Sequence, residues 1–337
     1  MAIKVAINGF GRIGRLTFRS LIESGRTDIE VVAINDLAAP ETNAHLLKYD
    51  SVHGRMNVDV KVEGDVLVVG QQKAKLLQIK DPAEHPWAAM GVDIVYECTG
   101  IFTDKEKAEV HLNAGAKRVL VSAPSKGADL TVVYGVNHDK ISAEHKVVSN
   151  ASCTTNCLAP VVHVLHEAFG IKHGFMTTIH SYTGDQVVLD RDLKGNLYRS
   201  RAAALNMIPT TTGAAAAIGL VIPELKGKLD GSSVRVPTPN VSLVDFKFVA
   251  GRAVSVEEVN AAISKAAASD RFKGILCAND EALVSSDFIH NSASSTFDLA
   301  ETKVMEGDFI RIVSWYDNEW GFSCRMHDTA AAMGKTL

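Results

Sequence analysis

A glycine-rich turn near the N-terminus places the tightest constraint on how this 337-residue chain can fold. The strand-like run IKVAING leads into a GxGxxG pattern formed by Gly9, Gly11 and Gly14, which opens the helical segment RLTFRSLIES. In this pattern the glycines allow a tight turn, a close approach of the backbone to a pyrophosphate, and close packing of helix on strand. The phosphates then lie at a helix N-terminus, which favours anions. The pattern therefore predicts a dinucleotide-binding βαβ unit.

The second predicted strand supports this interpretation. The run IEVVAIND ends at Asp36, about 22 residues beyond Gly14, where a carboxylate can accept hydrogen bonds from the adenosine ribose. The alternative role for Asp36 is a cap of the next helical segment, LAAPETNAHLL. If Asp36 binds the ribose it also favours NAD over NADP, because a 2′-phosphate would bring like charges together.

The first 150 residues alternate short β-branched runs with helical patterns, which is typical of an α/β, Rossmann-type parallel sheet. Within them VDVKVEGDVLVVG predicts a hairpin around a Gly-Asp turn. The later strand-like runs, GFMTTIHSYT, SSVRVPTPNVSLVDFKFVA and GDFIRIVSWYDN, predict an α+β domain with a largely antiparallel sheet. We therefore expect a nucleotide-binding domain at 1–150, a second domain at 151–317, and a C-terminal helix at 318–337 that returns to the first domain.

Composition excludes several other classes of protein. Hydrophobic residues make up 46% and charged residues 22% of the chain, and the net charge of -4 is not that of a nucleic-acid-binding protein. The sequence has neither a long uncharged apolar run nor a signal-peptide pattern, so we expect a cytoplasmic protein without a membrane partner. The five cysteines lack the spacing of a disulfide framework or a zinc site, so no metal is expected.

The second domain begins with SNASCTTNC, followed by the apolar helical pattern LAPVVHVLHEAFG. Ser and Asn cap helices, so Cys153 is expected near a helix N-terminus, where the dipole stabilises a thiolate and makes this cysteine a candidate nucleophile. Cys157, one turn further on, is expected to be a small core residue. The strand-like run TTIHSYT carries His180, which could accept the thiol proton and, as an imidazolium, lower the pKa of Cys153. On spacing alone, a buried core histidine is the default role for His180.

A series of motifs runs along nearly the whole chain: INGFGRIGR, NDL, HLLKYDSVHGR, SNASCTTNCLAP, TTIHSYTGDQ, IPTTTGAA, PELKGKL, RVPTPNVSLVD and SWYDNEWG. In sequence and order they resemble the glyceraldehyde-3-phosphate dehydrogenase family. The resemblance implies a homotetrameric, NAD-dependent enzyme of glycolysis and gluconeogenesis that oxidises glyceraldehyde 3-phosphate with inorganic phosphate. It also implies Cys153 as the nucleophile and His180 as the residue that activates it.

The same resemblance implies binding roles for further residues. Contacts with NAD are implied at Gly9, Gly11, Arg12, Ile13, Gly14, Asp36, Lys80, Thr99, Ser122 and Asn318, with Asn318 holding the nicotinamide carboxamide. Contacts with substrate phosphate or inorganic phosphate are implied at Ser152, Thr154, Thr183, Arg199, Thr212, Gly213 and Arg235, of which Thr183 and Arg235 resemble the site for the C3 phosphate. The planar guanidinium of Arg235 suits phosphate, although a surface ion pair is an equal alternative without the resemblance.

The chain departs from the family pattern at Ala216, where a lysine is usual, and in the segment 190–201, which is slightly longer than usual. In the family this segment reaches across a subunit interface toward the cofactor. Arg191 and Lys194 could therefore offset the charge of a 2′-phosphate and weaken the preference for NAD.

Two other functions fit parts of the sequence. Erythrose-4-phosphate dehydrogenase shares the cysteine-histidine pair, but the TTG sequence at 211–213 favours the phosphorylating glyceraldehyde enzyme. A non-catalytic NAD-binding regulator would share the fold, but it would not need both Cys153 and His180.

Overall fold

A computed structural model describes residues 2–193 and 195–337 of the chain. Contacts within the chain divide it into two compact units. The first contains residues 2–152 and 323–337, and the second contains residues 153–322. The C-terminal segment beyond Phe322 therefore belongs with the N-terminal residues. Lys194, for which a role in cofactor selection is predicted, lies outside the described residues.

The first unit is built on a nine-stranded sheet with the order β10-β11-β9-β8-β1-β2-β7-β6-β5. The strands of this unit, including the separate β3–β4 pair, are β1 (Ile3–Asn8), β2 (Ile29–Asn35), β3 (Tyr49–Asp50), β4 (Gly54–Arg55), β5 (Val60–Glu63), β6 (Val66–Val69), β7 (Gln72–Leu77), β8 (Ile94–Glu97), β9 (Arg118–Val121), β10 (Leu130–Thr131) and β11 (Val147–Ser149). Strands from β10 across to β7 pair in parallel, whereas β5, β6 and β7 are antiparallel. Both the parallel sheet and the inserted hairpin are therefore confirmed.

Helices connect the parallel strands of this unit. They are α1 (Arg12–Glu23), α2 (Pro40–Lys48), α3 (Trp87–Met90), α4 (Lys105–Ala108) and α5 (Val110–Asn113). Helix α1 buries Leu16, Phe18 and Leu21, while β1 buries Val5 and Ile7. The apolar face of α1 and the first strand thus contribute to the core that supports the glycine-rich turn.

The second unit is built on an eight-stranded, largely antiparallel sheet, as predicted. Its main path is β13-β14-β12-β15-β19-β17-β16, and β18 pairs with β19. The strands are β12 (Ile171–Ser181), β13 (Ile208–Thr211), β14 (Leu229–Val236), β15 (Ser242–Ala250), β16 (Leu276–Asn279), β17 (Ser295–Asp298), β18 (Lys303–Met305) and β19 (Phe309–Tyr316). The helices that begin in this unit are α6 (Cys153–Phe169), α7 (Ile218–Val221), α8 (Val256–Ala267) and α9 (Trp320–Gly334). Helix α6 packs on β15, β17 and β19.

The sequence predicts one long strand-like run over SSVRVPTPNVSLVDFKFVA, whereas the structure has two separate strands there. These strands are β14 and β15, which are not neighbours, because β12 lies between them. Pro237 and Pro239 fall in the connection, where proline cannot donate a hydrogen bond to a strand ladder. The prolines therefore end β14 and allow the chain to cross over β12.

The C-terminal part of α9 is anchored within the first unit. His327 Nε2 lies 2.8 Å from the carbonyl oxygen of Thr17, and the Thr329 hydroxyl donates to the side-chain oxygen of Asn150 over 2.8 Å. The guanidinium of Arg118, at the start of β9, donates to the carbonyl oxygen of Met333 over 3.1 Å. These buried polar contacts hold the end of the chain against the nucleotide-binding fold.

We predict that Gly14→Ala lowers the stability of the protein by about 1–3 kcal/mol, because the added methyl group overpacks the contact between α1 and the glycine turn. A Cβ atom at Gly14 would lie 2.0 Å from the carbonyl oxygen of Gly9. Gly11→Ala is the matched control, because a Cβ there meets no atom within 4 Å among the described residues. The denaturant midpoints of the two variants are the measurement, and equal midpoints would contradict the close packing.

Candidate active site

A pocket of about 510 Å³ opens in the first unit at the carboxyl ends of β1, β2 and β8. Ligands of open α/β sheets bind at this edge. Five of the residues predicted to contact the cofactor line it: Gly9, Gly11, Asp36, Lys80 and Thr99. The structure therefore brings these residues together around one cavity of a size that suits a small ligand.

Asp36 links the second strand to the glycine turn. Its Oδ2 accepts a hydrogen bond of 2.7 Å from the backbone N–H of Phe10, and its Oδ1 accepts one of 2.9 Å from that of Ala38. Helix α2 has Ala39 at its N-cap position. The alternative role of Asp36 as a helix cap is therefore wrong, and the carboxylate is fixed at the wall of the pocket.

The glycine turn fits the pyrophosphate of a dinucleotide. Gly9 has φ +92°, and a Cβ there would lie 2.7 Å from the Thr99 backbone nitrogen, so only glycine fits. Space beside Gly11 is open, and no side chain caps the N-terminus of the 12-residue helix α1. Exposed backbone N–H groups at such a helix start are suited to phosphate.

Four other predicted cofactor contacts in the first unit do not line this pocket. The Arg12 guanidinium pairs with both carboxylate oxygens of Asp50. Ile13 follows it in α1, Gly14 packs beneath the turn, and Ser122 lies just beyond β9. Their contacts with NAD stay predictions.

In the second unit, α6 begins at Cys153, and the thiol lies beside the imidazole of His180. The distance from Cys153 Sγ to His180 Nε2 is 3.6 Å. His180 Nδ1 is 2.6 Å from the carbonyl oxygen of Ser181. A carbonyl oxygen only accepts, so Nδ1 carries the ring proton and Nε2 turns its lone pair toward the thiol. This tautomer can take a proton from Cys153.

The resting charge state of this pair differs from the predicted thiolate and imidazolium. Burial lowers the pKa of His180 to about 3, and the positive charge of Arg235 acts in the same direction. Burial raises the pKa of Cys153, although the charge of Arg235 partly opposes that rise. The structure therefore favours a thiol beside a neutral imidazole, because desolvation outweighs the helix N-terminus that the sequence pointed to.

A cluster of charged and hydroxyl groups adjoins the end of β12. Arg235 Nη1 donates to the Thr183 hydroxyl over 2.9 Å and to the carbonyl oxygen of Ser181 over 3.1 Å. The Asp185 carboxylate accepts hydrogen bonds from Thr183 and from Arg199. Within the described residues, the Nε atoms of both arginines are buried without a hydrogen-bond partner. The predicted phosphate contacts Thr183, Arg199 and Arg235 are thus joined in one cationic cluster.

The other predicted phosphate contacts lie around the first turn of α6. The Thr155 hydroxyl donates to the carbonyl oxygen of Ala214 over 3.4 Å, which brings the loop with Thr212 and Gly213 beside this turn. Ser152 directly precedes Cys153 in the chain. The hydroxyl of Thr154 instead lies 2.8 Å from the hydroxyl of Tyr316, so it is already engaged by the protein.

Sequence reasoning missed Tyr316 and Asp185. The Tyr316 hydroxyl also lies 2.9 Å from that of Thr178, and its ring meets the His180 ring edge-on at 6.0 Å between centroids. Both missed residues stand inside the quoted motifs SWYDNEWG and TTIHSYTGDQ, which is the signal that could have found them. Their roles depend on contacts between distant segments, which a motif does not reveal.

Asn318 lies in the second unit, two residues beyond the end of β19 at Tyr316. Its Oδ1 accepts hydrogen bonds of 2.8 Å from the Ser181 hydroxyl and 2.9 Å from the Ser242 hydroxyl. The structure therefore places the predicted nicotinamide contact next to the residue whose carbonyl oxygen orients His180.

Two features are absent from residues 2–193 and 195–337. No group of three or more His, Cys, Asp or Glu side chains there could hold a metal ion. None of the helices in those ranges combines the length and the apolar character needed to span a membrane.

Comparison with known proteins identifies the family. Residues 3–105 match the family model of the glyceraldehyde 3-phosphate dehydrogenase NAD-binding domain, and residues 152–318 match that of the C-terminal domain. The chain belongs to the glyceraldehyde-3-phosphate dehydrogenase family. It is therefore an NAD-dependent oxidoreductase, and the predicted cofactor is confirmed.

Curated members of the family are similar over their whole length. The glyceraldehyde-3-phosphate dehydrogenase of Xanthobacter flavus is 67% identical over 335 residues, which cover 99% of both chains. That of Cereibacter sphaeroides is 65% identical over 337 residues and 100% of both chains. That of Geobacillus stearothermophilus is 56% identical over 332 residues and 98% of both chains.

We predict that His180→Asn lowers turnover by about 10²- to 10⁴-fold, the usual effect of removing a positioned general base. Alkylation of Cys153 at neutral pH should also slow, because no neutral imidazole remains to accept the thiol proton. The measurement is the rate of iodoacetamide labelling between pH 6 and 10, compared with the wild type. An unchanged pH profile would show that His180 does not act on Cys153.

Proposed function

We propose that the protein oxidises D-glyceraldehyde 3-phosphate to 1,3-bisphosphoglycerate, with NAD and inorganic phosphate, in the glycolytic and gluconeogenic pathway of the cytoplasm. Family membership supports the substrate and the cofactor. The observation that carries the chemistry is the 3.6 Å contact between Cys153 Sγ and a His180 Nε2 that can only accept a proton. A thiol with its base in place is what covalent aldehyde oxidation requires.

In the first step Cys153 adds to the aldehyde carbon. The thiol proton passes to His180 Nε2, a carbon–sulfur bond forms, and His180 returns that proton to the carbonyl oxygen to give a hemithioacetal with Nε2 unprotonated again. His180 can accept this proton because Nδ1 carries the ring proton and the lone pair of Nε2 faces the thiol. The nearby positive charge of Arg235 stabilises the thiolate that forms during the attack.

In the second step the hemithioacetal is oxidised to a thioester on Cys153. His180 Nε2 takes the hydroxyl proton as the hydride leaves the same carbon. When bound, NAD supplies the acceptor for that hydride. Inorganic phosphate then attacks the thioester, the carbon–sulfur bond breaks, and the acyl phosphate leaves with Cys153 free again.

The two phosphate groups are assigned to two parts of the site. Thr183 and Arg235 are proposed to bind the C3 phosphate of the substrate, and Arg199 is proposed to complete the phosphate-binding cluster. Ser152, Thr154, Thr212 and Gly213 are proposed to bind the attacking phosphate. Two buried guanidinium N–H groups without partners in the described residues support an anion at this cluster.

Arg12, Ile13, Gly14, Ser122 and Asn318 are proposed to contact NAD together with the residues that line the pocket. A homotetramer is proposed from the resemblance to the family. A subunit interface is supported by large apolar side chains that are exposed along one segment, namely Val188, Leu189, Leu197, Tyr198, Leu205 and Met207. An exposed apolar stretch of this kind is typical of a protein interface.

The proposed activity is tested by following NADH formation with glyceraldehyde 3-phosphate, NAD and inorganic phosphate. We expect turnover that requires all three, and a Cys153→Ser variant that still binds NAD but does not turn over. Erythrose 4-phosphate is the comparison substrate. Faster oxidation of erythrose 4-phosphate, or full activity of Cys153→Ser, would contradict the proposal.

We predict that Arg235→Ala reduces kcat/KM for glyceraldehyde 3-phosphate by about 10- to 150-fold, because a charge-assisted hydrogen bond contributes about 1.5–3 kcal/mol. Arg235→Lys should recover only part, since a point charge does not reproduce the planar fork.

Unphosphorylated glyceraldehyde is the control for this prediction. Arg235→Ala should lower the activity on unphosphorylated glyceraldehyde less, and only because the charge of Arg235 also lowers the pKa of Cys153. Equal losses on both aldehydes would remove Arg235 from the substrate phosphate site.

A further inference from the structure

The backbone of Asn318 is held firmly on both sides. Asn318 lies between the end of β19 at Tyr316 and the start of α9 at Trp320. Beside it, Asp317 Oδ1 accepts hydrogen bonds from the backbone N–H groups of Glu319 and Trp320 over 3.0 and 2.8 Å. Asp317 Oδ2 accepts a further hydrogen bond of 2.7 Å from the N–H of His290. With the backbone fixed in this way, the remaining freedom of Asn318 is the orientation of its side-chain amide.

Two serine hydroxyls contact that amide in a buried setting. Ser181 Oγ and Ser242 Oγ lie 2.8 and 2.9 Å from Asn318 Oδ1, and the relative exposures of Ser181, Ser242 and Asn318 are 0%, 1% and 4%. The two hydroxyl oxygens are 3.3 Å apart, and Ser242 Oγ also accepts from the Ser181 backbone N–H over 3.1 Å. Among the described residues, the only other acceptor shown for either hydroxyl proton is the oxygen of the other serine, and that contact can satisfy one proton but not both.

The number of serine hydroxyl protons that need an acceptor decides the orientation of the Asn318 side-chain amide. With Oδ1 toward the serines, its two lone pairs accept both hydroxyl protons. If the amide were turned over, its NH₂ group would face two hydroxyl oxygens, one of which already accepts from a backbone N–H. At least one buried hydroxyl proton would then lack an acceptor, which is unfavourable. The serines therefore fix Oδ1 toward themselves and turn the NH₂ group of Asn318 away from them.

The NH₂ group so presented has no hydrogen-bond partner among the residues that the structure describes. A donor of this kind matches a carbonyl oxygen. Val241, directly before Ser242, adds an independent sign of constraint, because it is buried with φ +68°. Positive φ is strained for a β-branched residue, and residues strained in this way cluster at active sites and ligand-binding sites.

We propose that Ser181 and Ser242 are positioning residues that hold the Asn318 amide so that its NH₂ group donates to the carboxamide oxygen of the nicotinamide. The inference rests on the proposed contact of Asn318 with NAD and extends it to two residues that touch neither cofactor nor substrate. It predicts that these hydroxyls set the affinity for the nicotinamide half of NAD and leave the adenosine half unaffected.

The first test measures equilibrium affinities for NAD and for ADP-ribose, which lacks the nicotinamide. Ser181→Ala combined with Ser242→Ala should weaken NAD binding by about 3- to 10-fold, the effect of loosening one neutral hydrogen bond, and leave ADP-ribose binding unchanged. Ser233→Ala is the matched control, since Ser233 is a buried serine of the same sheet whose hydroxyl has no partner among the described residues. It should leave both affinities unchanged.

The second test is a double-mutant cycle with Asn318→Ala. If the serines act through Asn318, removing their hydroxyls in the Asn318→Ala background should cause no further loss of NAD affinity. Additive losses, equal losses for NAD and ADP-ribose, or no loss at all would each overturn the proposal. If the double serine variant does not fold, the two single variants are measured in the same cycle.

The role of the serines and the proposed function are tested by separate measurements. Wild-type protein that fails to oxidise glyceraldehyde 3-phosphate overturns the function, whatever the serine variants do. Wild-type turnover with additive losses in the cycle overturns only the role of the serines.

Discussion

The candidate active site depends on the hydrogen bond between Nδ1 of His180 and the carbonyl oxygen of Ser181. That 2.6 Å contact decides which ring nitrogen carries the proton, and so whether the imidazole can act as a base toward Cys153. With the other tautomer, Nε2 would face the thiol with a proton of its own, and no proton could move. The position of the cysteine at the start of α6 has chemical value only because this tautomer is set from the opposite side of the ring.

Arg235 is the second determinant of the chemistry at this site, because its single charge acts on several neighbouring groups. It lowers the pKa of His180 and opposes the rise that burial causes in the pKa of Cys153. Both effects favour a neutral base and an accessible thiolate. The same guanidinium holds Thr183 at 2.9 Å, so the residue proposed to bind the substrate phosphate also adjusts the reactivity of the nucleophile. Binding an anion there would weaken that positive field, which ties substrate recognition to the charge state of the pair.

Much of the architecture could be predicted from the sequence, because it follows from patterns local to a segment. The alternation of strands and helices gave the parallel sheet, and the GxGxxG turn gave the wall of the pocket at Gly9 and Gly11. The break between β14 and β15 was missed, although Pro237 and Pro239 carried the signal. At the site, Cys153 and His180 were found from residue type and family resemblance.

Contacts between distant segments, and the effect of burial on the pKa values of the site, could not be predicted from the sequence. Tyr316 meets Thr154 and His180 only after β19 and β12 have been placed in one sheet. Asp185 joins Thr183 to Arg199 across a loop whose path no periodicity describes. The rise that burial causes in the pKa of Cys153 was missed for a related reason. The cost of burying a charge depends on every group packed around it, whereas the start of a helix is predicted from a few residues.

The pairing of β12 with β14 has a consequence for how this chain can diverge. His180 and Arg235 are direct partners in this parallel pair, so the ladder of backbone hydrogen bonds sets their separation at about the 4.8 Å between neighbouring strands. The long connection from β12 to β13 contributes nothing to that ladder. It can lengthen or exchange residues while the base and the guanidinium keep their spacing. The separation of His180 from Arg235 therefore does not depend on this connection, and residues there can change without moving the base relative to the guanidinium.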